Sequence, residues 1–375
     1  MTGDMGYSVR EVVSRRDLMQ FIRFPDELYK DCAQYVPALH SGQVNALTRV
    51  STLSYCKRKM WLACEGRKVV GRICAMVNPR YNARYGTRRA RFGWFDTVDD
   101  FGAARLLLST AEAWAKAQGM DEIHGPLYYN TFGKQGMLVE GFDRIPPFNC
   151  LYNFPYYNDF VSRMGYAKEC DWVQYELRAD APLPDKTYRV ATRVMERYDL
   201  RFGSLSRLKK DPAMVRRFFD AYNDSFGSAV HNYVPLTEAE MQEEARAMLP
   251  FVSDKAGTLL LDGKGDVAAF GIAFPSISKA LQEARGRLFP FGWICLMKAA
   301  RDFGTVDLMV NGATPEWQGK GISAVYYAEM AEKFRKAGMK TAITNPQIEN
   351  NSAVNIWNGY AREPFMRRRC YIKKI

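Results

Sequence analysis

The sequence has few of the residue patterns that identify metalloproteins, secreted proteins or membrane proteins. Its three histidines, His40, His124 and His231, are scattered, so no metal site can be read from it. None of its eight cysteines belongs to a C-x-x-C pair, and their mostly apolar neighbours predict reduced, buried thiols. It contains no run of 18 uncharged apolar residues, and residues 1–4 do not resemble a secretory leader. We therefore expect a cytoplasmic protein that binds no metal and does not insert into a membrane.

The commoner phosphate-binding loops are also missing, because neither G-x-x-x-x-G-K-[ST] nor G-x-G-x-x-G occurs. Instead, residues 314–323 read TPEWQGKGIS and lie between a strand-like stretch, 306–313, and an amphipathic helix. Gly319 and Gly321 allow the backbone to turn without interference from a Cβ atom. The helix that follows directs unpaired N–H groups and its positive dipole end into the turn. Such a turn favours a phosphate or pyrophosphate.

The spacing of this turn, Gln318-x-x-Gly321-x-Ser323 with Pro315 upstream, resembles the pyrophosphate-binding motif of the GNAT superfamily of acyl-CoA N-acyltransferases. That motif is Q/R-x-x-G-x-G/A and follows a strand. Ser323 departs from the usual Gly or Ala, but it is still small and adds a hydroxyl donor. A Gly-Lys-Gly between a strand and a helix can also be purely structural, and the motif alone leaves that alternative open.

The order of elements around the turn extends the resemblance to about residues 200–375. A helical pattern follows the turn and ends at Gly338, a short strand-like run covers 341–344, and Asn350 and Asn351 open another short helix. Gly359 and Tyr360 then precede a final strand-like segment. The GNAT fold has the same order of strand, helix, strand, helix and strand.

Two sequence landmarks occur twice, in the same order. WAKAQGM at 114–120 matches FRKAGM at 334–339, and GYAKE at 165–169 matches GYARE at 359–363. At 375 residues, with 47% hydrophobic composition, the chain is also long and apolar enough for two cores. We predict an α/β (α+β) protein of two GNAT-like domains in tandem, 1–180 and 187–375, each with a mixed sheet flanked by helices. The linker is the proline-containing run 180–186.

The first domain lacks the glycine turn. At the matching place the chain carries Asp96, Asp99 and Asp100, which would repel a pyrophosphate. Alternatively, Asp99 and Asp100 simply cap the next helix, and the two explanations are compatible. The first domain is therefore predicted to be degenerate and to contribute to the acceptor side, whereas the second binds the acyl donor.

The resemblance also implies site residues in the second domain. The acyl carbonyl would be held by a backbone N–H of the strand, and Asn350 or Asn351 would bind pantetheine, although either asparagine could equally cap a helix. Strand alternation places Asp307, Met309 and Asn311 on one face. The residues expected to bind the cofactor are Met309, Asn311, Ala313, Gln318, Gly319, Lys320, Gly321, Ile322, Ser323, Asn350 and Asn351.

Two residues are candidates for proton transfer. Asp307 lies near the position where some family members carry a base, or it is a strand-edge carboxylate with a hydrogen bond. The family often uses a tyrosine as the acid, but the matching stretch contains Trp357, and an indole cannot supply that proton. Tyr360 is the substitute, with Tyr326 and Tyr327 as alternatives that the motif does not distinguish.

The remaining features concern partners. The net charge of +12 is diffuse, with basic clusters at 80–91 and 367–374 that are either solvated or bind anions. The first consists of Arg80, Arg84, Arg88, Arg89 and Arg91, and the second of Arg367, Arg368, Arg369, Lys373 and Lys374. Aromatics at 125–157 line an acceptor cleft or hold a loop in place, and residues 286–300 form a lid or tunnel for an acyl chain or a packed helix.

The resemblance implies acetyl-CoA or a longer acyl-CoA as cosubstrate and a small-molecule or peptide amine as acceptor. Three alternatives stay open: an aminoacyl-tRNA-dependent transferase, a catalytically silent module that binds CoA or a nucleotide, and, from charge alone, a nucleic-acid-binding protein. The sequence does not fix the oligomeric state.

Overall fold

The computed structural model describes residues 6–227, 232–350 and 362–375. They form two compact units. The first unit contains the residues up to Trp172, together with Ser278–Cys295 and Met366–Ile375. The second contains Val173–Ile277 and Leu296–Phe365. The division predicted at 180–186 therefore differs from the packing, since two later segments join the first unit and residues from Val173 onward join the second.

The elements up to residue 178 alternate in blocks of strands and helices. The strands are β1 (Tyr7–Glu11), β2 (Lys57–Glu65), β3 (Lys68–Val77), β4 (Arg89–Thr97), β5 (Glu122–Gly125), β6 (Met137–Glu140) and β7 (Ala167–Arg178). The helices are α1 (Arg15–Leu28), α2 (His40–Thr48), α3 (Pro79–Tyr85), α4 (Phe101–Ala117) and α5 (Tyr156–Arg163).

The rest of the described chain contains a second set. Its helices are α6 (Asp185–Tyr198), α7 (Leu205–Leu208), α8 (Pro212–Phe226), α9 (Glu238–Met248), α10 (Ser278–Ala284), α11 (Gly292–Ala299) and α12 (Ile322–Lys336). Its strands are β8 (Arg201–Gly203), β9 (Gly257–Leu261), β10 (Val267–Pro275), β11 (Thr305–Ala313), β12 (Thr341–Ile343), β13 (Gln347–Ile348) and β14 (Arg362–Lys374).

Both units are built on the same sequence of pairings. In the first, β1 to β4 are antiparallel neighbours and β5 pairs parallel to β4 after helix α4. In the second, β8 to β11 are antiparallel neighbours and β12 pairs parallel to β11 after helix α12. The two helices end before glycines with positive φ, Gly119 at 79° and Gly338 at 69°. The duplication suggested by the repeated landmarks is thus present in the architecture.

The first unit confirms the capping role of one of its acidic residues. Asp100 is the N-cap of α4, and its side chain accepts the backbone N–H of Ala103 at 3.1 Å.

In the aromatic stretch at 125–157, Tyr128, Tyr129 and Tyr157 are buried, and Tyr128 stacks on Trp94. These three rings hold the stretch against the core of the first unit.

Within the residues that the structure describes, no helix combines enough length with enough apolar character to cross a membrane.

Candidate functional site

A β-bulge interrupts strand β11 in the second unit. Ile272 of β10 lies opposite Val310, whereas the next residue, Ala273, lies opposite Leu308, so Met309 is an extra residue on β11. Leu308 packs in the core cluster that includes α12, and Asn311 also reaches α12. The bulge therefore turns Asn311 to the α12 side, while Asp307, next to Leu308, points the other way. The simple alternation expected from the sequence is wrong for Asn311.

Strands β11 and β12 separate close to this bulge. They pair only from Thr305 to Asp307, opposite Thr341 to Ile343. The chain after β12 stays with β7, because Thr344 donates its N–H to Tyr175 O at 2.9 Å and accepts the Tyr175 N–H on its hydroxyl at 2.8 Å. Among the described residues, β11 has no strand partner on this side beyond Asp307. Within the described chain, its backbone groups along that edge are therefore not used in sheet pairing beyond Asp307.

The glycine turn lies at the end of the same strand. Gly319 and Gly321 have φ values of 75° and 77°, in the left-handed region that favours glycine. Gly321 is the N-cap of α12, and no side chain caps the helix within the described chain. A Cβ at Gly321 would lie 3.2 Å from Val190 Cγ1 of α6. The first N–H groups of α12 thus lie at a narrow turn and carry no side-chain cap within the described chain, as an anion site requires.

Two side chains of the motif have contacts within the protein. The Gln318 amide donates to Ala313 O at 3.0 Å, which ties the turn to the end of β11. The Lys320 Nζ atom lies 4.8 Å from the ring centroid of Trp317 and 5.5 Å from that of Tyr198. Trp317 is buried and Lys320 is exposed. These contacts hold a cation beside the turn, where it adds positive potential for a phosphate.

Asp307 is an unusual carboxyl group. It is only 2% exposed, and neither of its oxygens has a hydrogen-bond partner within the described residues. Burial raises its pKa from the ordinary 3.8 to about 7, whereas Ser276 acts in the opposite direction. The assignment of Asp307 as a base stays a prediction, as does the alternative of a hydrogen-bonded carboxylate, since the Ser276 side chain interacts with this group and lowers its pKa. A carboxyl with a pKa near 7 can accept or release a proton at neutral pH.

Asn311 also carries an unsatisfied polar atom. Its Nδ2 donates to the Tyr327 hydroxyl at 3.2 Å, but its Oδ1 is buried without a hydrogen-bond partner in the described chain. An orphaned buried acceptor costs free energy unless a donor, such as a ligand amide, pairs with it. Sequence reasoning included Tyr327 only as one substitute acid among several. Its contact with Asn311 becomes visible only with the bulge.

The other predicted site residues lie in different surroundings. Ile322 is buried in the core of the second unit, and Ser323 is partly exposed in the first turn of α12. Asn350 is exposed. Asn351 and Tyr360 lie outside the described residues, so their predicted roles remain predictions.

Replacing Tyr327 by phenylalanine tests the link to Asn311. The change removes the acceptor of Asn311 Nδ2, so we expect the free energy of unfolding to fall by about 1 kcal/mol. Denaturant unfolding measures this. The double change Tyr327→Phe with Asn311→Leu should cost less than the sum of the two single changes, and full additivity would show that the two side chains are not coupled.

Together, the repeated units, the separation of β11 from β12 and the glycine turn define a tandem GNAT fold. The chain is similar in structure to a solved tandem GNAT protein from the clavulanic acid biosynthesis pathway, with a TM-score of 0.58 and 12% identity. The similarity covers 98% of each chain. At this identity the likeness shows the fold alone, and it confirms the fold predicted from the sequence.

Two curated proteins are similar in sequence. Protein YghO of Escherichia coli (strain K12) is 28% identical, over 100% of this chain and 98% of that protein. The Bacterial ceramide synthase of Caulobacter vibrioides (strain NA1000 / CB15N) is 27% identical, over 77% of this chain and 75% of that protein. No protein-family model matches the chain.

Proposed function

We propose that the protein is an N-acyltransferase that moves an acyl group from acyl-CoA to the amine of a lipophilic amino alcohol. The observation that carries the proposal is the turn at Gly319 and Gly321, where the first N–H groups of α12 have no side-chain cap within the described chain. The similarity to a ceramide synthase supports the acceptor class, because a ceramide is the fatty amide of a long-chain amino alcohol.

The residues present fit a CoA thioester. The turn from Gln318 to Ser323 would hold the pyrophosphate, with Lys320 beside it. The unpaired edge of β11 after Asp307 would donate a backbone N–H to the thioester carbonyl. The unsatisfied Oδ1 of Asn311 would accept an amide N–H of the pantetheine arm.

The reaction requires a deprotonated amine. Asp307, as its carboxylate, would take a proton from the substrate ammonium, since its pKa of about 7 allows this near neutral pH. The amine nitrogen then forms a bond to the carbonyl carbon, and the carbon–sulfur bond breaks. The backbone N–H groups of β11 stabilise the negative charge that develops on the carbonyl oxygen. The attacking nitrogen then loses a second proton and the leaving thiolate takes up one, so the products are an amide and free CoA, with the proton from the ammonium on Asp307.

An assay with the full chain tests the proposal. Acetyl-CoA and palmitoyl-CoA are each combined with a long-chain amino alcohol, ethanolamine or a peptide with a free amino terminus. Release of free thiol is measured, and the amide is identified by mass spectrometry. We expect amide formation that is fastest with the long-chain amino alcohol.

Other outcomes contradict the proposal in distinct ways. Thiol release with the peptide or with ethanolamine, but not with the long-chain amino alcohol, would contradict the proposed class of acceptor. If acyl-CoA raises the melting temperature of the protein but no amine is acylated, the result would favour a catalytically silent binding protein. If tRNA raises the melting temperature and acyl-CoA does not, the result would favour the tRNA-dependent alternative.

A further inference from the structure

A short segment between α10 and β11 exposes an unusual amount of apolar surface. Helix α11 has no buried residue. The large apolar side chains that the segment exposes are Phe289 (77% exposed), Phe291 (70%), Trp293 (46%), Ile294 (47%) and Met297 (50%). A contiguous exposed apolar patch on a protein usually marks an interaction surface. The packed-helix interpretation of residues 286–300 requires burial that this structure does not show.

The segment projects from a fixed base in the first unit. The side-chain amide of Gln282 on α10 donates to Ala33 O at 2.7 Å and to Tyr35 O at 3.0 Å. The backbone N–H of His40 donates to Gly286 O at 2.9 Å. Beyond Gly286, the Trp293 indole N–H bonds only to Pro290 O of the same segment, at 3.0 Å, among the contacts of the described chain. The aromatic residues are therefore held in place at one end and exposed at the other.

The charged residues within the segment, 285–301, all have one sign, although the exposed Glu283 and Asp302 lie just outside it. Arg285 and Arg287 precede the apolar residues, Lys298 and Arg301 follow them, and all four are exposed. No carboxylate occurs from residue 285 to residue 301. Aromatic and aliphatic side chains flanked by cations are the composition of elements that lie in the interface of an anionic bilayer. Tryptophan in particular is enriched at the depth of the lipid headgroups.

We propose that residues 285–301 dock the protein on the surface of a membrane containing anionic phospholipid. The five exposed apolar side chains enter the interfacial layer, and the four cations contact lipid phosphates. This is binding at the surface and not passage across the bilayer. The docking itself does not depend on the proposed function, but under that function it brings the enzyme to an acceptor dissolved in the membrane.

Flotation of the full chain with vesicles tests the proposal without any substrate. The vesicles are phosphatidylcholine with or without phosphatidylglycerol. We expect binding to the mixed vesicles that decreases with added salt. The triple variant Phe289→Ser, Phe291→Ser, Trp293→Ser should bind at least about tenfold more weakly, because it loses apolar area that enters the interface. Its melting temperature should stay unchanged, since these side chains are exposed.

The matched control replaces exposed apolar residues elsewhere. Val13→Ser with Phe202→Ser removes side chains that are 79% and 46% exposed, and it should leave vesicle binding unchanged. Equal loss in both variants, absence of binding to mixed vesicles, or a dimer that dissociates in the triple variant would each overturn the proposal. A protein that floats but shows no acyl transfer would contradict the proposed function and leave the docking surface supported.

Discussion

Replacing Gly321 by glutamate is expected to abolish the stabilisation of this protein by coenzyme A. The wild-type protein at a ligand concentration 100 times the dissociation constant should gain about 2.7 kcal/mol in free energy of unfolding. In the variant, a carboxylate would occupy the turn and repel the pyrophosphate. The new Cβ would also lie 3.2 Å from Val190 Cγ1, at a φ of 77°. Thermal or denaturant unfolding with and without coenzyme A measures the loss.

The same helix provides a control for strain and charge. Gly338, just beyond the other end of α12, also has a positive φ, 69°, and apart from its chain neighbours no described atom lies within 4 Å of where its Cβ would be. Gly338→Glu therefore adds the same charge and a similar backbone strain of about 1–2 kcal/mol. It should keep the full stabilisation by coenzyme A. If both variants lose it equally, or if Gly321→Glu retains it, the turn is not the binding site.

The turn could be predicted from the sequence because its determinants are local. Two glycines, their spacing and the amphipathic pattern of the next helix lie within a short stretch, and each dictates backbone geometry directly. The bulge at Met309 could not be predicted in the same way. It depends on how β11 pairs with β10, and no residue of β11 marks the position of the extra residue. The contact between Asn311 and Tyr327 follows from that pairing.

The placement of two segments was also beyond local reasoning. Residues 278–295 and 366–375 pack in the first unit although they follow most of the second in sequence. An apolar helix such as α11 is expected to be covered by other parts of the protein, because apolar side chains are usually buried. Sequence pattern measures how apolar a segment is, and it does not say what covers it. Here the exposure of Phe289 and Phe291 is information that only the structure supplies.

Replacing Asp307 by asparagine should reduce acyl transfer strongly while changing how stability depends on pH. An amide cannot accept the ammonium proton, and loss of a general base typically costs about 10²–10⁴-fold in rate. The wild-type kcat/KM should rise with an apparent pKa of about 7, and the variant should lack this rise. Rates with a long-chain amino alcohol and palmitoyl-CoA across this pH range measure both effects.

The stability effect follows from the raised pKa. The unfolded chain loses the Asp307 proton near pH 3.8, whereas the folded protein keeps it until about pH 7. Between these values the folded state binds more protons, so the stability of the wild type falls as the pH rises. Asparagine does not bind or release a proton in this range, so the variant lacks this dependence of stability on pH. The stability of the variant relative to the wild type should therefore increase by roughly 2–3 kcal/mol from pH 5 to pH 8.

A carboxylate on the same stretch of chain serves as the control. Asp302 is exposed, and its Oδ1 accepts the Gly304 N–H, an acceptor that asparagine retains. Asp302→Asn should leave both the rate and the pH dependence of stability close to those of the wild type. An Asp307→Asn variant that shows the pH-dependent gain in stability but keeps full activity would establish a buried carboxyl without a catalytic role. A variant with neither change would show that Asp307 is ionised and solvated in the folded protein.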